Sequence, residues 1–169
     1  MARVIVLLSG PIAAGKTTLC DELVNRFGFH VCKTRELIHA LLKDVPMERA
    51  ALQKAGEALD RKSKGEWVAK ALGQKVQELR RDQNIVVDSA RIKNQIDGVR
   101  RAFGPQVIHI HLTAPLALLE KRYETRRRKA HIKELPSYAE ARKDPTEQQV
   151  EKLAACSGPR FLDKKEPLP

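Results

Sequence analysis

Eight consecutive residues carry the clearest chemistry in this chain: Gly10-Pro11-Ile12-Ala13-Ala14-Gly15-Lys16-Thr17, the pattern Gly-x4-Gly-Lys-Ser/Thr. Glycines let such a backbone curl until successive N–H groups point inward, where phosphate oxygens accept from them. Gly10, Ala13, Ala14 and Gly15 supply that cradle, and the helix that follows adds the positive end of its dipole. Lys16 reaches the β- and γ-phosphates of a bound nucleotide. The Thr17 hydroxyl suits Mg2+, and Thr18 is placed for the α-phosphate. The pattern carries this meaning when a strand precedes it and a helix follows it. Val4 to Leu8 is a continuous apolar run, as in a strand buried on both faces. Lys16 to Phe27 has Leu19, Leu23 and Phe27 at intervals of four and stops at Gly28, which reads as a helix.

A second signal lies roughly 70 residues downstream, where Ile85-Val86-Val87 runs into Asp88. An apolar strand that ends in a carboxylate beside such a loop brings the Asp near Mg2+ and its waters, so Thr17 and Asp88 form the candidate metal pair. A helix or turn cap is the alternative use for an Asp at a strand end.

The elements that must position these residues follow from periodicity and breakers. Phe29 to Cys32 is a candidate second strand. Thr34 reads as the N-cap of a helix through Leu42 with Leu37, Ile38, Leu41 and Leu42 on one face. Pro46 opens a helical stretch to about Lys62, and Glu66 to Arg81 continues helical. Asn84 to Asp88 is a strand, Ile92 to Phe103 a helix stopped by Gly104-Pro105, and Val107 to Leu112 a strand. Pro115 to about Arg127 is helical, with Pro115 in the first turn. Residues 129–145 read as a polar loop with one helical turn around Tyr138 to Arg142, and Pro145 starts a last helix to about Cys156. Strands alternating with helices imply a three-layer α/β/α fold around a parallel sheet of four to five strands. Residues 157–169 read as a Pro- and Lys-rich tail after a domain of residues 1–156.

Composition bounds the partners. The 169 residues are 42% apolar and 31% charged, as in a soluble globular domain, and only 4% are aromatic, so the core rests on aliphatic side chains. No apolar run approaches the roughly 18 residues of a membrane span. The Val4–Leu8 run is too short for a secretory leader and enters the glycine motif without a cleavage pattern. Net charge is +11, which favours polyanionic partners such as nucleotides, phosphorylated metabolites or nucleic acid, or reflects a Lys- and Arg-rich solvated surface. Three cysteines, Cys20, Cys32 and Cys156, with no Cys-x-x-Cys pair, argue against a disulfide framework or structural zinc and for a reducing, cytoplasmic setting. His109 and His111 share a strand face; with no third ligand in view they read as sheet histidines rather than a metal site. Trp67 reads as core packing rather than a stacking platform.

Three further segments stand out: Lys33-Thr34-Arg35-Glu36-Leu37-Ile38, Asp88-Ser89-Ala90-Arg91, and Lys121-Arg122-Tyr123-Glu124-Thr125-Arg126-Arg127-Arg128-Lys129. Together with the glycine loop they resemble the nucleoside monophosphate kinase group of P-loop proteins, the adenylate-kinase-like set with dephospho-coenzyme A kinases as cousins. The resemblance covers about residues 3–150. It implies ATP and Mg2+ as cofactors and transfer of the γ-phosphoryl to a small phosphorylated acceptor. Residues of about 33–82 would frame the acceptor, with Thr34 and Arg35 facing it, Arg91 gripping its phosphate and Gln95 reading its base. Residues of about 122–145 would form a basic lid that brings Arg122, Arg126 and Arg142 to the phosphates. The chain departs from the group in having Arg35-Glu36 where Gly-Asp is usual. Its Met47 to Leu72 segment is longer and more helical, and only Phe161-Leu162 stands where a fifth strand is usual. A nucleotide-dependent switch with slow ATPase activity, and a kinase acting on a hydroxyl of dephospho-coenzyme A or a nucleic-acid 5′ end, are the competing readings. No motif separates ATP from GTP, and none sets an oligomeric state.

Overall fold

The strand and helix that the glycine loop requires are both present in the computed structural model, which describes residues 3–129 and 136–158. Strand β1 spans Ile5–Ser9, β2 His30–Lys33, β3 Ile85–Asp88 and β4 Val107–His111. All pairings are parallel, in the order β2-β3-β1-β4. β1 has a neighbour on each side and all five of its residues are buried, which is why its sequence is continuously apolar rather than alternating. The period of two still sorts its side chains. Ile5 and Leu7 join one core cluster with Ile85 and Val87, whereas Val6 and Leu8 join another with Val86.

Helices cover both faces. α1 (Lys16–Phe27) packs Leu19, Cys20 and Leu23 onto the Val6/Leu8 side. α2 (Thr34–Leu41), α3 (Arg49–Ser63), α4 (Trp67–Glu78) and α5 (Lys93–Phe103) contribute Leu37, Leu52, Trp67, Leu72 and Ile96 to the Ile5/Leu7 side. α6 (Leu116–Lys129) and α7 (Tyr138–Ala141) bring Leu119, Tyr123 and Tyr138 against Ala13 and Ala14 of the glycine loop. α8 (Pro145–Glu151) follows. The architecture is the expected three-layer α/β/α fold, with four strands among the described residues. All three cysteines are buried and free.

Several local expectations need correction. Lys33, not Thr34, precedes α2 in extended conformation; Thr34 is already helical, and its hydroxyl donates to the Asp88 carbonyl at 3.4 Å instead of capping. The helix expected from Pro46 begins at Arg49, and the one expected to reach Arg81 ends at Glu78. Arg3 terminates that helix: its guanidinium donates to the carbonyls of Val76, Arg80 and Gln83 from the first strand's entrance. The last helix tightens to a 3-10 turn over Lys152–Cys156, after which the Gly158 N–H donates to the His109 carbonyl at 2.7 Å. The start of the expected tail is thus pinned to the β4 edge; Phe161 and Leu162 lie outside the described residues.

Because every strand runs the same way, the loop after β1, the start of α2 after β2, and Asp88 at the end of β3 all gather at one edge of the sheet. Crevices at the carboxyl ends of strands are where open α/β sheets bind ligands.

Candidate phosphate site and acceptor cavity

The glycine loop owes its path to two positions. Gly10 has φ 140°, and a Cβ there would collide with the backbone carbonyl of Leu112. Gly15 has φ 98° and turns the chain into α1. Between them Ala13 adopts the left-handed region at φ 65°, while its methyl and that of Ala14 are buried against α6 and α7. The small residues at these positions therefore serve the packing beneath the loop as well as its curl. Lys16 folds back over the loop, donating to the carbonyls of Gly10 at 2.7 Å and Pro11 at 3.0 Å. Burial lowers its pKa from the ordinary lysine value, opposed by Glu147 and Asp88 and reinforced by Arg91 and Arg126. A half-buried ammonium whose hydrogen bonds go only to neutral carbonyls is an incompletely compensated charge, as suits a group that waits for an anion. Thr17 and Thr18 are exposed at the first turn of α1. Asp88 pairs in register with Leu8 of β1 and Lys33 of β2, close enough to Lys16 to act on its charge. Thr17 and Asp88 thus offer hard oxygen donors beside the loop, a set that fits Mg2+.

Beside the loop is a cavity of about 760 Å³ whose lining includes Thr34, Arg35, Asp60, Trp67, Arg91 and Gln95. The four residues expected to meet an acceptor, Thr34, Arg35, Arg91 and Gln95, therefore face a single space. Arg91 is exposed just before α5, whereas Gln95 is 3% exposed and its side chain holds two partners. Its Oε1 accepts the Arg91 backbone N–H at 2.8 Å, and its Nε2 donates to Asp60 Oδ1 at 2.9 Å. Trp67 packs in the core as expected and also lines the cavity, donating its Nε1–H to the same Asp60 oxygen at 2.7 Å. Burial raises the Asp60 pKa, opposed by those two hydrogen bonds.

α8 joins the cavity to the loop. Asp144, its N-cap, accepts from Thr146 N on one oxygen and from Gln53 of α3 on the other, each at 2.8 Å. Glu147, in its first turn, accepts the Ile12 backbone N–H at 3.2 Å. Burial raises the Glu147 pKa, against the pull of Arg91 and Lys16.

The expected lid arginines are placed unequally. Arg126 is exposed on α6 and near enough to Lys16 to depress its pKa. Arg122 is exposed on the same helix. Arg142 instead pairs with Glu151 at 2.8 Å and lines a separate small hollow with Glu120 and Gln148, so it is not drawn to the loop. Residues 130–135 of the expected lid lie outside the described set.

Sequence reasoning missed Asp60 and Glu147, because Gln95 and Ile12, which they meet at the site, lie in distant parts of the chain. It also missed a chain of hydrogen bonds behind the loop. His109 Nδ1 lies 3.0 Å from the Cys156 carbonyl, which can only accept, so Nδ1 donates and Nε2 accepts from Ser9 Oγ at 2.7 Å. Ser9 Oγ then accepts from His111 Nδ1 at 2.8 Å. The shared strand face of the two histidines was legible; the serine that joins them was not.

The family model of the AAA domain matches residues 6–146. Among solved structures, a gluconokinase from Sinorhizobium meliloti 1021 is similar with a TM-score of 0.50 and 16% identity, over 88% of this chain and 73% of that one. The Pnkp1/Rnl/Hen1 RNA repair complex is similar with a TM-score of 0.58 and 12% identity, over 97% of this chain and 50% of that one. At these identities the likeness is one of fold. No curated protein matches the sequence.

Proposed function

The chain belongs to the AAA domain family, and from that premise we propose that it is an ATP-dependent phosphotransferase that passes the γ-phosphoryl group to a small phosphorylated acceptor, a nucleoside monophosphate being the best fit. The observation that carries this reading is the cavity that Thr34, Arg35, Arg91 and Gln95 line together, with Arg91 close enough to Lys16 to act on its charge. A hydrolytic switch has no need of a second, guanidinium-lined space next to its phosphate site. The fold shared with a gluconokinase is in keeping with transfer chemistry.

In this reading the backbone N–H groups of Ala13 to Lys16 hold the β-phosphate. Lys16 exchanges its two carbonyl acceptors for phosphate oxygens and stabilises the charge on the moving group. Thr17 and Asp88 hold Mg2+, which when bound neutralises charge on the nucleotide's phosphates. Arg91 fixes the acceptor's anion through the bidentate geometry a guanidinium allows. Arg126 faces the same field. An acceptor that is already a phosphate needs no protein base, because its oxygen is ionised near neutral pH.

One observation favours a second reading, transfer to a hydroxyl. Two carboxylates, Asp88 and Glu147, lie close enough to Lys16 to act on its charge, and each is a candidate to take a hydroxyl proton. The experiment is ADP release from Mg2+–ATP across nucleoside monophosphates, nucleosides, dephospho-coenzyme A, gluconate and a 5′-hydroxyl oligonucleotide. Stimulation by a monophosphate supports the first reading, stimulation by a hydroxyl acceptor the second, and slow release that no acceptor stimulates contradicts both.

A further inference from the structure

Asp60 reaches from α3 into the cavity with only one of its oxygens engaged. Oδ1 accepts from Trp67 Nε1 and from Gln95 Nε2, at 2.7 and 2.9 Å. The indole N–H can only donate, and the Arg91 backbone N–H that meets Gln95 Oε1 can only donate, so both the carboxylate and the amide are held one way round. Among the described residues none donates a hydrogen bond to Oδ2. A half-buried carboxylate with four lone-pair sites and two donors asks for another donor from whatever fills the space. Gln95 Nε2 spends one of its two N–H groups on Asp60 and has one left. The wall also carries the apolar surfaces of Ile38, Leu52 and Ile92. These features fit a body with an apolar face and an N–H on its edge.

Resting on the reading of this cavity as the acceptor site, we propose that Asp60 is the specificity-determining residue of the acceptor, selecting molecules that carry, besides the anion held by Arg91, an amino or imide N–H of a nucleobase that donates to Oδ2. The same arrangement works against acceptors whose far end is a carboxylate. Such a group offers Oδ2 no donor and meets the Asp60 carboxylate itself, although Arg35 and Arg61 also line the cavity and balance Glu57. Gln95 acts through its remaining N–H on the neighbouring ring acceptor, and its orientation depends on Asp60.

Asp60→Asn is a clean probe. The asparagine oxygen still accepts from Trp67 and Gln95, while Oδ2 becomes an N–H2 that repels a donor edge. In the full chain, Asp60→Asn raises the KM of the best monophosphate acceptor roughly tenfold to hundredfold, with the KM of ATP and the melting temperature little changed. An N-methylated analogue of that acceptor, lacking the edge N–H, shows a comparable rise against the wild type and little further rise against Asp60→Asn. An unchanged acceptor KM in a variant that melts like the wild type overturns the proposal. If the variant melts early, the analogue decides alone: parity with its parent against the wild type overturns the proposal. If no acceptor stimulates ADP release at all, the functional reading fails first. Calorimetric binding of monophosphates to the wild type and to Asp60→Asn then decides separately: weaker binding to the variant supports the proposal and equal affinities overturn it.

Discussion

The carboxylate of Glu147 accepts the backbone N–H of Ile12 at 3.2 Å, so a residue of α8 occupies an amide of the loop that is shaped to hold phosphate. Glu147 is also the leading anionic influence on Lys16, ahead of Asp88. A carboxylate there, beside the amides that hold phosphate and close enough to act on Lys16, repels nucleotide phosphates. Glu147→Gln therefore binds ATP about threefold to tenfold more tightly, a fraction of the interaction between charges near a protein surface. Isothermal calorimetry with ATP and Mg2+ checks this; unchanged or weaker binding would mean that the carboxylate assists nucleotide binding rather than opposing it.

Lys16 makes its two hydrogen bonds only to loop carbonyls, and it is partly buried while charged. Removing it relieves a desolvation cost and leaves the strand and helix around the loop intact. Lys16→Ala loses about a hundredfold to a thousandfold in turnover, the scale of removing one preorganised electrostatic donor, without a fall in melting temperature. Turnover close to the wild type would place the charge stabilisation elsewhere.

Arg91 lies two residues before α5 and Gln95 in its first turn, and the Arg91 backbone N–H donates to the Gln95 side-chain amide oxygen. Arg91→Ala therefore keeps that bond and loses only the guanidinium. The acceptor KM rises by about tenfold to hundredfold while the KM of ATP holds, and Arg91→Lys recovers only part of the loss because an ammonium lacks the fork. Equal rises in both KM values would show that Arg91 serves the nucleotide instead.

His109 is 1% exposed, and burial lowers its pKa from the ordinary 6.5. Its folded pKa lies below its unfolded one, so between the two values the unfolded chain binds more protons than the folded chain. Stability is then fully present above about pH 6.5 and falls as pH drops through that window. His109→Gln, whose amide can donate to the Cys156 carbonyl and accept from Ser9, loses part of this dependence. Melting curves from pH 8 to pH 5 should fall more steeply for the wild type than for the variant. Comparison with the variant matters because Asp60 and Glu147, whose pKa values are raised, contribute in the opposite sense at the acid end. Parallel curves would mean that His109 takes up its proton without cost in the fold.

Much of the fold was legible because its signals are local. The glycine loop, the apolar runs of β1, β3 and β4, and the stop at Gly28 each lie within a few residues of one another. The helix limit at Arg81 was misread because the chain trades helical hydrogen bonds there for contacts with Arg3, far away in the sequence. Thr34 had the right residue type for a cap, but a strand that leads directly into the helix turned its hydroxyl toward Asp88. At the candidate site, Thr34, Arg35, Arg91 and Gln95 could be grouped from short segments, and they line one cavity. Asp60 and Glu147 could not: their partners lie 35 and 135 residues away in the chain, with no spacing to announce them. Arg142 had the expected type and position for a lid, yet Glu151, nine residues on, holds it.

The most direct test of phosphoryl transfer is to follow the label of ATP carrying radioactive phosphorus in its γ-phosphate, with the purified chain, Mg2+ and the acceptor that best stimulates ADP release. Phosphoryl transfer puts the label in the phosphorylated acceptor in step with ADP, and Arg91→Ala lowers this transfer without raising inorganic phosphate to match. Label found only as inorganic phosphate, at a rate that no acceptor changes, would contradict phosphotransfer and leave a nucleotide-hydrolysing switch in its place.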